Sequence, residues 1–224
     1  METVHHYSGW RPEAAVVDAL KGEGRWNNDW DASLELLRRQ GTPLPERDAL
    51  ITVFSNFYFG GDPEGDPSQW QGFIGDEPLL VQQDFFSALS GQGWGWGFVS
   101  GAEPPSARYV LEQRLGLQQP PLIAMGDAPD KPDPTGLLRL AQQLQANPNG
   151  SVAYLGDTVA DVRTVLNARA HDPQRHWISL AVAPPHLWDV PEARSAYEQQ
   201  LRQAGADHIL SSTCDALALL PSLQ

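Results

Sequence analysis

The sequence predicts an α/β protein in which helices cover both faces of a parallel β-sheet and a separate helical region precedes it. In the second half of the chain, short apolar runs alternate four times with amphipathic stretches of helical length. Such alternation is typical of a parallel sheet between two layers of helices. The first part has only helical patterns, and 224 residues suit one domain with a smaller second one. We therefore expect a helical region at residues 1–78 and an α/β core at residues 79–224.

Three helices are predicted in the first region. The stretch PEAAVVDALKGEG is amphipathic and ends in glycines, and NDWDASLELLRRQG begins with an Asn or Asp cap and ends at Gly41. PLPERDALITVFSNFYFG supplies the third helix. After Pro78, a further helix in EPLLVQQDFFSALS leads into the core.

Five strands and four helices are predicted in the core. The predicted strands are WGFVSG, PLIAMGD, VAYLGD, WISLAVA and DHIL. The helices between them are SARYVLEQRLGL, PTGLLRLAQQLQAN, TVADVRTVLNARA and PEARSAYEQQLRQAG. In open parallel sheets, functional residues lie just beyond the carboxyl ends of the strands. That rule selects the residues to consider as a site.

Composition excludes several classes of protein. The chain has 28 acidic against 15 basic residues, a net charge of −13, so a nucleic-acid partner is not expected. No apolar run approaches the roughly 18 residues of a membrane span, and METVHHYSGW lacks the features of a signal peptide. A single cysteine, Cys214, excludes an internal disulfide framework. We therefore expect a cytoplasmic protein without a membrane partner.

The strand ends select Ser100, Asp127, Asp157 and Asp161, with Lys131 in the loop after PLIAMGD. Each of these residues also has a purely structural interpretation. The serine could start a turn, Asp127 could be a loop acid, Asp157 could cap the next helix, and the lysine could be a surface charge. Their order on successive strands weakens these separate interpretations.

The order is a serine in VSG, a lysine in DKPDP and two aspartates in GDTVAD, and it resembles the haloacid dehalogenase (HAD) superfamily of phosphohydrolases. GDTVAD is the most specific of the three motifs. The resemblance covers roughly residues 80–224, and the helical first part resembles the inserted cap of subfamily I members. It implies a Rossmann-like parallel sheet, a hydrolase of the phosphatase type and a small phosphorylated substrate. The oligomeric state stays open.

The resemblance also implies roles for the site residues. Negative charge on a phosphoryl group in transfer must be met by preorganised donors. Ser100 would donate a hydroxyl, Gly101 would lie against the phosphate, and Lys131 would supply an ammonium group. Mg²⁺, which prefers oxygen ligands, would bind Asp157, with Asp161 as a second ligand or as an orienter of bound water.

The superfamily pattern also requires a first strand that ends in D-x-D, whose first aspartate is the nucleophile, and no such strand is evident. Asp29 and Asp31 in NNDWDAS match only as letters, because the segment continues as an amphipathic helix, and we interpret them as a helix start. The chain is either a shortened version of a longer protein or a degenerate member, and we favour shortening. Both explanations predict an interrupted sheet, an unusual pairing or repair by a dimer, and little or no activity.

A non-enzymatic binding or regulatory protein is the alternative function. It would use the acidic surface and the tryptophans as an interaction face, so the exposure of Trp26, Trp30, Trp94 and Trp96 discriminates between the two. A receiver domain of the response-regulator type is disfavoured, because the N-terminal half is helical and GDTVAD comes late in the chain.

Overall fold

The computed structural model describes residues 1–144 and 150–223. The helices within these ranges are α1 (Glu2–Ser8), α2 (Ala14–Gly22), α3 (Asp29–Arg39), α4 (Arg47–Tyr58), α5 (Gln83–Gly91), α6 (Pro104–Arg108), α7 (Thr135–Gln143), α8 (Val159–His171), α9 (Pro191–Ala204) and α10 (Ala216–Leu219). The strands are β1 (Phe98–Val99), β2 (Leu122–Ile123), β3 (Ser151–Gly156), β4 (His176–Val182) and β5 (His208–Leu210). The order of helices and strands confirms the α/β prediction.

Some element boundaries differ from the predictions. The helix predicted over SARYVLEQRLGL is α6 followed by a π-helical segment, Tyr109–Arg114. α1 was not predicted, although it buries Val4 completely in the helical region. The last residues of the helix predicted over PTGLLRLAQQLQAN, 145–147, lie outside the described ranges.

Helices α1 to α4 pack around a core of their own. Val4, Leu20, Leu37 and Leu50 are almost completely buried there. The cap of α3 is as predicted: the side-chain oxygen of Asn28 accepts hydrogen bonds from the backbone amides of Trp30 and Asp31. The helical region therefore has a buried apolar centre, as we expect of a cap.

The parallel sheet is in two parts. One part pairs β1 with β2, and the other has the order β3-β4-β5. Both parts lie in one layer: Phe98 and Leu155 pack into a shared core on one face, and Val99 and Tyr154 into another core on the opposite face. Among the described residues no ladder of hydrogen bonds joins β1 to β3. That a further strand belongs between them stays a prediction.

Burial along the strands reflects this interruption. Every residue of β3 is only partly buried, whereas six of the seven residues of β4 are buried. In the described ranges, β4 has a hydrogen-bonded strand on each side, but β3 pairs on one side only. Strands in the middle of a parallel sheet are normally buried on both faces. The partly exposed strand is the one that carries the GDTVAD motif at its end.

The helical region is seated directly on the core. Gly24 has φ +73° and packs so closely against Val159 and Arg163 that a Cβ atom would overlap them. The guanidinium of Arg163 donates to the backbone oxygen of Glu23 at 2.8 Å. The segment between α2 and α3 therefore lies against the N-terminal part of α8, close to the end of β3.

The exposure of four tryptophans was expected to discriminate between an enzyme and a binding or regulatory protein. All four side chains are partly buried. Trp26 and Trp30 pack against the core of the helical region, and Trp94 and Trp96 pack against the core beside α5 and α10. They do not combine into one broad exposed face. None of the helices in the described ranges has the length and apolarity that crossing a membrane requires.

Glu35 on α3 makes an acid-dependent contact inside the helical region. Its buried carboxylate accepts hydrogen bonds from Arg38 at 2.6 and 2.8 Å and from Arg39 at 2.7 Å. These bonds, first from Arg38 and then from Arg39, lower the pKa of Glu35 to about 2. A carboxylate with a lowered pKa in the folded state stabilises the protein above its ordinary pKa, and this contribution is lost as the pH falls towards 2.

We therefore expect Glu35→Gln to be less stable than the wild type at neutral pH. The difference between the two proteins should shrink as the pH falls from about 4.5 to about 2. Urea unfolding at several pH values measures it. Glu64→Gln, at an exposed loop position, is the control and should follow the wild-type curve. A difference at neutral pH that persists unchanged to pH 2 would contradict the assignment.

Candidate functional site

Three predicted site residues, Ser100, Gly101 and Lys131, line the same narrow cleft. The cleft lies at the carboxyl ends of β1 and β2. Its lining includes Asn27, Ser100, Gly101, Met125, Asp130 and Lys131. The cleft is therefore lined by the serine that follows β1 and by the lysine in the loop after β2.

Lys131 is held by a buried network. Its Nζ lies 2.6 Å from Asp161 Oδ1 and donates to the hydroxyl of Tyr154 at 3.3 Å. The two charged side chains are 13% and 4% exposed, so the pair is largely removed from water. Desolvation alone would lower the pKa of Lys131, but the charge of Asp161 and the Tyr154 hydroxyl raise that pKa above its ordinary value. Lys131 is therefore a fixed cation.

Asp161 uses both carboxylate oxygens within the protein. Oδ2 accepts hydrogen bonds from the backbone amide of Thr158 at 3.0 Å and from its hydroxyl at 2.6 Å, which completes a capping box at the start of α8. Oδ1 accepts from Lys131 and from Tyr154 at 3.1 Å. Desolvation opposes ionisation, but Lys131 and then Thr158 lower the pKa of Asp161. Asp161 thus joins the first turn of α8 to the ammonium group of Lys131.

Asp157 follows β3 directly and differs from Asp161 in its surroundings. Its side chain is exposed and forms no ion pair or hydrogen bond with another described residue. Desolvation, followed by repulsion from Asp161, raises the pKa of Asp157, while Lys131 and Lys21 act in the opposite direction.

Asp157 and Asp161 fit a site for a hard divalent cation, because one of their two carboxylates is free to bind it. Mg²⁺ is commonly held by one or two carboxylates and keeps several waters. Asp157 has both oxygens available, whereas the oxygens of Asp161 accept hydrogen bonds from protein groups. No group of three or more His, Cys, Asp or Glu side chains suited to a metal occurs in the described part of the chain. The arrangement favours Asp157 as a direct ligand, with Asp161 supporting it.

Ser100 and Gly101 form the turn after β1. The hydroxyl oxygen of Ser100 accepts a hydrogen bond from the backbone amide of Ala102 at 3.0 Å, which leaves its own proton available to a ligand. A Cβ atom on Gly101 would lie 2.6 Å from the side-chain nitrogen of Asn27, so the helical region touches this turn. Ser100 therefore shapes the turn and still faces the cleft.

Other aspartates selected from the sequence have structural partners. Asp127 accepts a hydrogen bond from the backbone amide of Ala124 at 2.9 Å, within its own loop. Asp29 is the first residue of α3, as the helix-start interpretation predicted, and lies 2.6 Å from Lys21 Nζ. Asp31 pairs with Arg47. Neither residue of the D-x-D match lies on a strand.

The sequence did not identify Tyr154, Asn27 or Asn28 as site residues. Tyr154 was the most accessible to prediction, because a tyrosine hydroxyl within an apolar strand of the sheet needs a partner. Its hydroxyl contacts Lys131, Asp161 and the backbone oxygen of Val99. The two asparagines lie far along the chain from the core motifs, and no pattern links them to the cleft.

The geometry defines a class: a parallel α/β protein with a fixed cation, a hydroxyl and a free carboxylate at one sheet edge. The family model of haloacid dehalogenase-like hydrolases matches residues 70–169, which include Ser100, Lys131, Asp157 and Asp161. Over residues 70–169, just under half of its length, the chain is similar to haloacid dehalogenase-like hydrolases. The recognition made from the motifs is thereby confirmed.

A curated protein agrees with this similarity. Phosphonoacetaldehyde hydrolase of Nitratidesulfovibrio vulgaris (strain Miyazaki F) is 24% identical over 173 residues, which span 66% of this chain and 61% of that protein. The match thus leaves over a third of that relative uncovered.

Solved structures show the same fold. A phosphonoacetaldehyde hydrolase-like protein from Oleispira antarctica has a TM-score of 0.67 at 16% identity, covering 98% of this chain and 83% of its own. A hydrolase from Pseudomonas syringae has a TM-score of 0.63 at 16% identity, covering 99% and 89%.

Proposed function

We propose that the site binds the phosphoryl group of a small phosphorylated metabolite together with Mg²⁺, as a phosphohydrolase of the HAD type. The observation that carries this proposal is the placement of Lys131, whose ammonium group is fixed by Asp161 and Tyr154 at the cleft that Ser100 lines. A fixed cation and a hydroxyl donor are the preorganised groups that a phosphoryl group requires.

Each residue has a part in this proposal. Ser100 donates its hydroxyl proton to a phosphoryl oxygen, Gly101 leaves space beside that oxygen, and Lys131 balances the negative charge. Asp157 would hold Mg²⁺, which when bound supplies further neutralisation of charge on the phosphoryl oxygens. Asp161 keeps Lys131 in position and the first turn of α8 formed.

We propose that residues 1–78 act as a cap over the core of residues 79–224. This division is supported by the separate apolar centre of α1 to α4 and by the position of Asn27 at the cleft. A cap in that position excludes water from the bound phosphoryl group and limits the size of the substrate.

We further propose that the 224 residues turn over substrate slowly or not at all. The superfamily resemblance requires an aspartate on a strand as nucleophile, and the D-x-D match, Asp29 and Asp31, lies on α3. Hydrolysis of p-nitrophenyl phosphate with and without Mg²⁺ tests this point. Turnover in the common range of about 1–10³ s⁻¹ would contradict it. Loss of such turnover in Asp29→Ala would assign the nucleophile to Asp29.

A binding or regulatory protein that retains the pocket without turnover is the second candidate. It is favoured by the helical position of Asp29 and Asp31, and it shares the predicted binding of phosphate. The packing of the four tryptophans argues against a broad interaction face on their side. Phosphate binding without hydrolysis is expected of both candidates, whereas hydrolysis of any tested ester would contradict this second one.

The compounds to be tested as substrates are chosen from the size of the cleft and from the similar proteins. The compounds include short alkyl and hydroxyalkyl phosphates, because the cleft is narrow. They also include phosphonoacetaldehyde, because the curated relative is named as a hydrolase of that compound.

Binding of inorganic phosphate, measured by calorimetry with and without Mg²⁺, tests the site directly. We expect Ser100→Ala to weaken binding about tenfold or more, since a hydrogen bond to a charged group contributes about 1.5–3 kcal/mol. Ser87→Ala, an exposed serine on α5, is the matched control and should bind as the wild type does. Equal affinity of the wild type and Ser100→Ala would remove Ser100 from the site.

A further inference from the structure

The helical region contributes one residue to the lining of the cleft. Asn27, in the segment between α2 and α3, lies with Ser100, Gly101 and Lys131 around the same space, and it is the only lining residue from residues 1–78 among those described. Its side-chain nitrogen is in close contact with the Gly101 turn. Whatever organic group extends from a phosphoryl group bound at Ser100 and Lys131 must pass this side chain.

The carboxamide of Asn27 has no partner within the described protein. Its backbone oxygen accepts a hydrogen bond from Lys21, but its side chain makes no hydrogen bond to another described residue. An asparagine amide offers two donors and one acceptor. In a narrow cleft lined by both polar and apolar residues, such an unused group is available to a ligand.

Asn27 is fixed on both sides along the chain. On one side, Lys21 Nζ donates to the Asn27 backbone oxygen at 3.2 Å and pairs with Asp29 at 2.6 Å. On the other, buried Asn28 caps α3 and donates to Asp130 at 3.4 Å. Asp130 directly precedes Lys131, so the backbone at Asn27 is tied to the loop that carries the cation. A preorganised polar group of this kind discriminates between ligands at low entropic cost.

The chemistry of the group defines what it can recognise. A neutral amide adds no charge, so it does not contribute to the attraction of the phosphoryl group as Lys131 does. It can donate to a carbonyl or hydroxyl oxygen, or accept from a hydroxyl. A site that hydrogen-bonds such a group discriminates against an analogue without it, because the polar partner is left unpaired.

We propose that Asn27 is a specificity-determining residue whose carboxamide hydrogen-bonds an uncharged oxygen, a hydroxyl or carbonyl, on the organic part of the substrate. The inference rests on the proposed function, in which Ser100 and Lys131 hold the phosphoryl group. Asn27 thereby selects phosphates whose organic part carries such an oxygen over plain alkyl phosphates.

Three probes of similar charge separate the contribution of Asn27 to binding from that of Ser100 and Lys131. They are inorganic phosphate, ethyl phosphate and 2-hydroxyethyl phosphate. With the wild type and Mg²⁺, calorimetry should show 2-hydroxyethyl phosphate binding about 3- to 10-fold more tightly than ethyl phosphate. In Asn27→Ala this ratio should fall to about one, with the affinity for inorganic phosphate unchanged within about twofold. Asn27→Leu, which keeps the size of the side chain without its polar atoms, should behave in the same way.

The control is Asn56→Ala, an exposed asparagine on α4 in the same helical region, which should keep the wild-type ratio. Equal binding of the two organic phosphates by the wild type would overturn the role of Asn27 while leaving the phosphate site intact. A uniform loss of affinity for all three probes in Asn27→Ala would also overturn it. Absence of phosphate binding by the wild type would instead refute the proposed function.

Discussion

Lys131→Met is expected to lower the free energy of unfolding by about 3–5 kcal/mol, because it leaves a buried carboxylate without its cation. Asp161 is 4% exposed and would keep hydrogen bonds from Thr158 and Tyr154 but lose the charge that balances it. Urea unfolding at pH 7 measures the loss. The double variant Lys131→Met with Asp161→Asn should recover part of it, since no unpaired charge then remains.

The chain offers a matched control for this substitution in its other lysine. Lys21 also forms a 2.6 Å ion pair, but its partner Asp29 is 61% exposed. Surface pairs of this kind contribute about 0–1 kcal/mol, so Lys21→Met should have a small effect on stability. Equal losses for the two variants would mean that the pair between Lys131 and Asp161 is not desolvated as described.

Mg²⁺ is expected to stabilise the wild type, by about 2.7 kcal/mol when its concentration is one hundred times the dissociation constant. Asp157→Asn should abolish this stabilisation, because Asp157 is the carboxylate with free oxygens. In metal-free buffer at neutral pH the same variant should be more stable than the wild type. Its raised pKa means that the ionised form is disfavoured in the folded state, and asparagine removes the repulsion by Asp161.

Thermal unfolding with and without MgCl₂ measures both effects in one series. Asp84→Asn, at an exposed position in the first turn of α5, is the control and should retain the response to Mg²⁺. An Asp157→Asn protein that Mg²⁺ stabilises as strongly as the wild type would place the cation elsewhere. A variant that is less stable than the wild type without metal would contradict the repulsion between the two acids.

The periodic parts of the fold were predictable because they depend on local patterns. The apolar run of β4 and the amphipathic pattern of α9 were recognised from a few residues each, and Asn28 was one of two expected caps for α3. Helix α1 was missed, because seven residues with little periodicity carry too weak a signal, and its burial depends on α3 and α4.

The site was predictable as a set of positions but not as a set of contacts. Ser100, Lys131, Asp157 and Asp161 were selected because parallel strands bring their carboxyl ends to one edge. From the sequence, Asp157 was the expected metal ligand, and Asp161 was either a second ligand or an orienter of bound water. In the structure Asp161 completes the capping box of α8 and binds Lys131, whereas Asp157 is exposed. Asp157 and Asp161 are the same residue type four positions apart, so only the side chains around each of them distinguish their roles.

By itself the sequence determined the alternation of strands and helices, the acidic surface and the positions of the hydroxyl, the ammonium group and the acids. Only the tertiary structure decided that Lys131 is held by Asp161 and Tyr154, and that Asn27 reaches the turn at Gly101. The reason is physical. Alternation follows from local periodicity, whereas these contacts join residues 23 to 74 positions apart and depend on how whole elements pack.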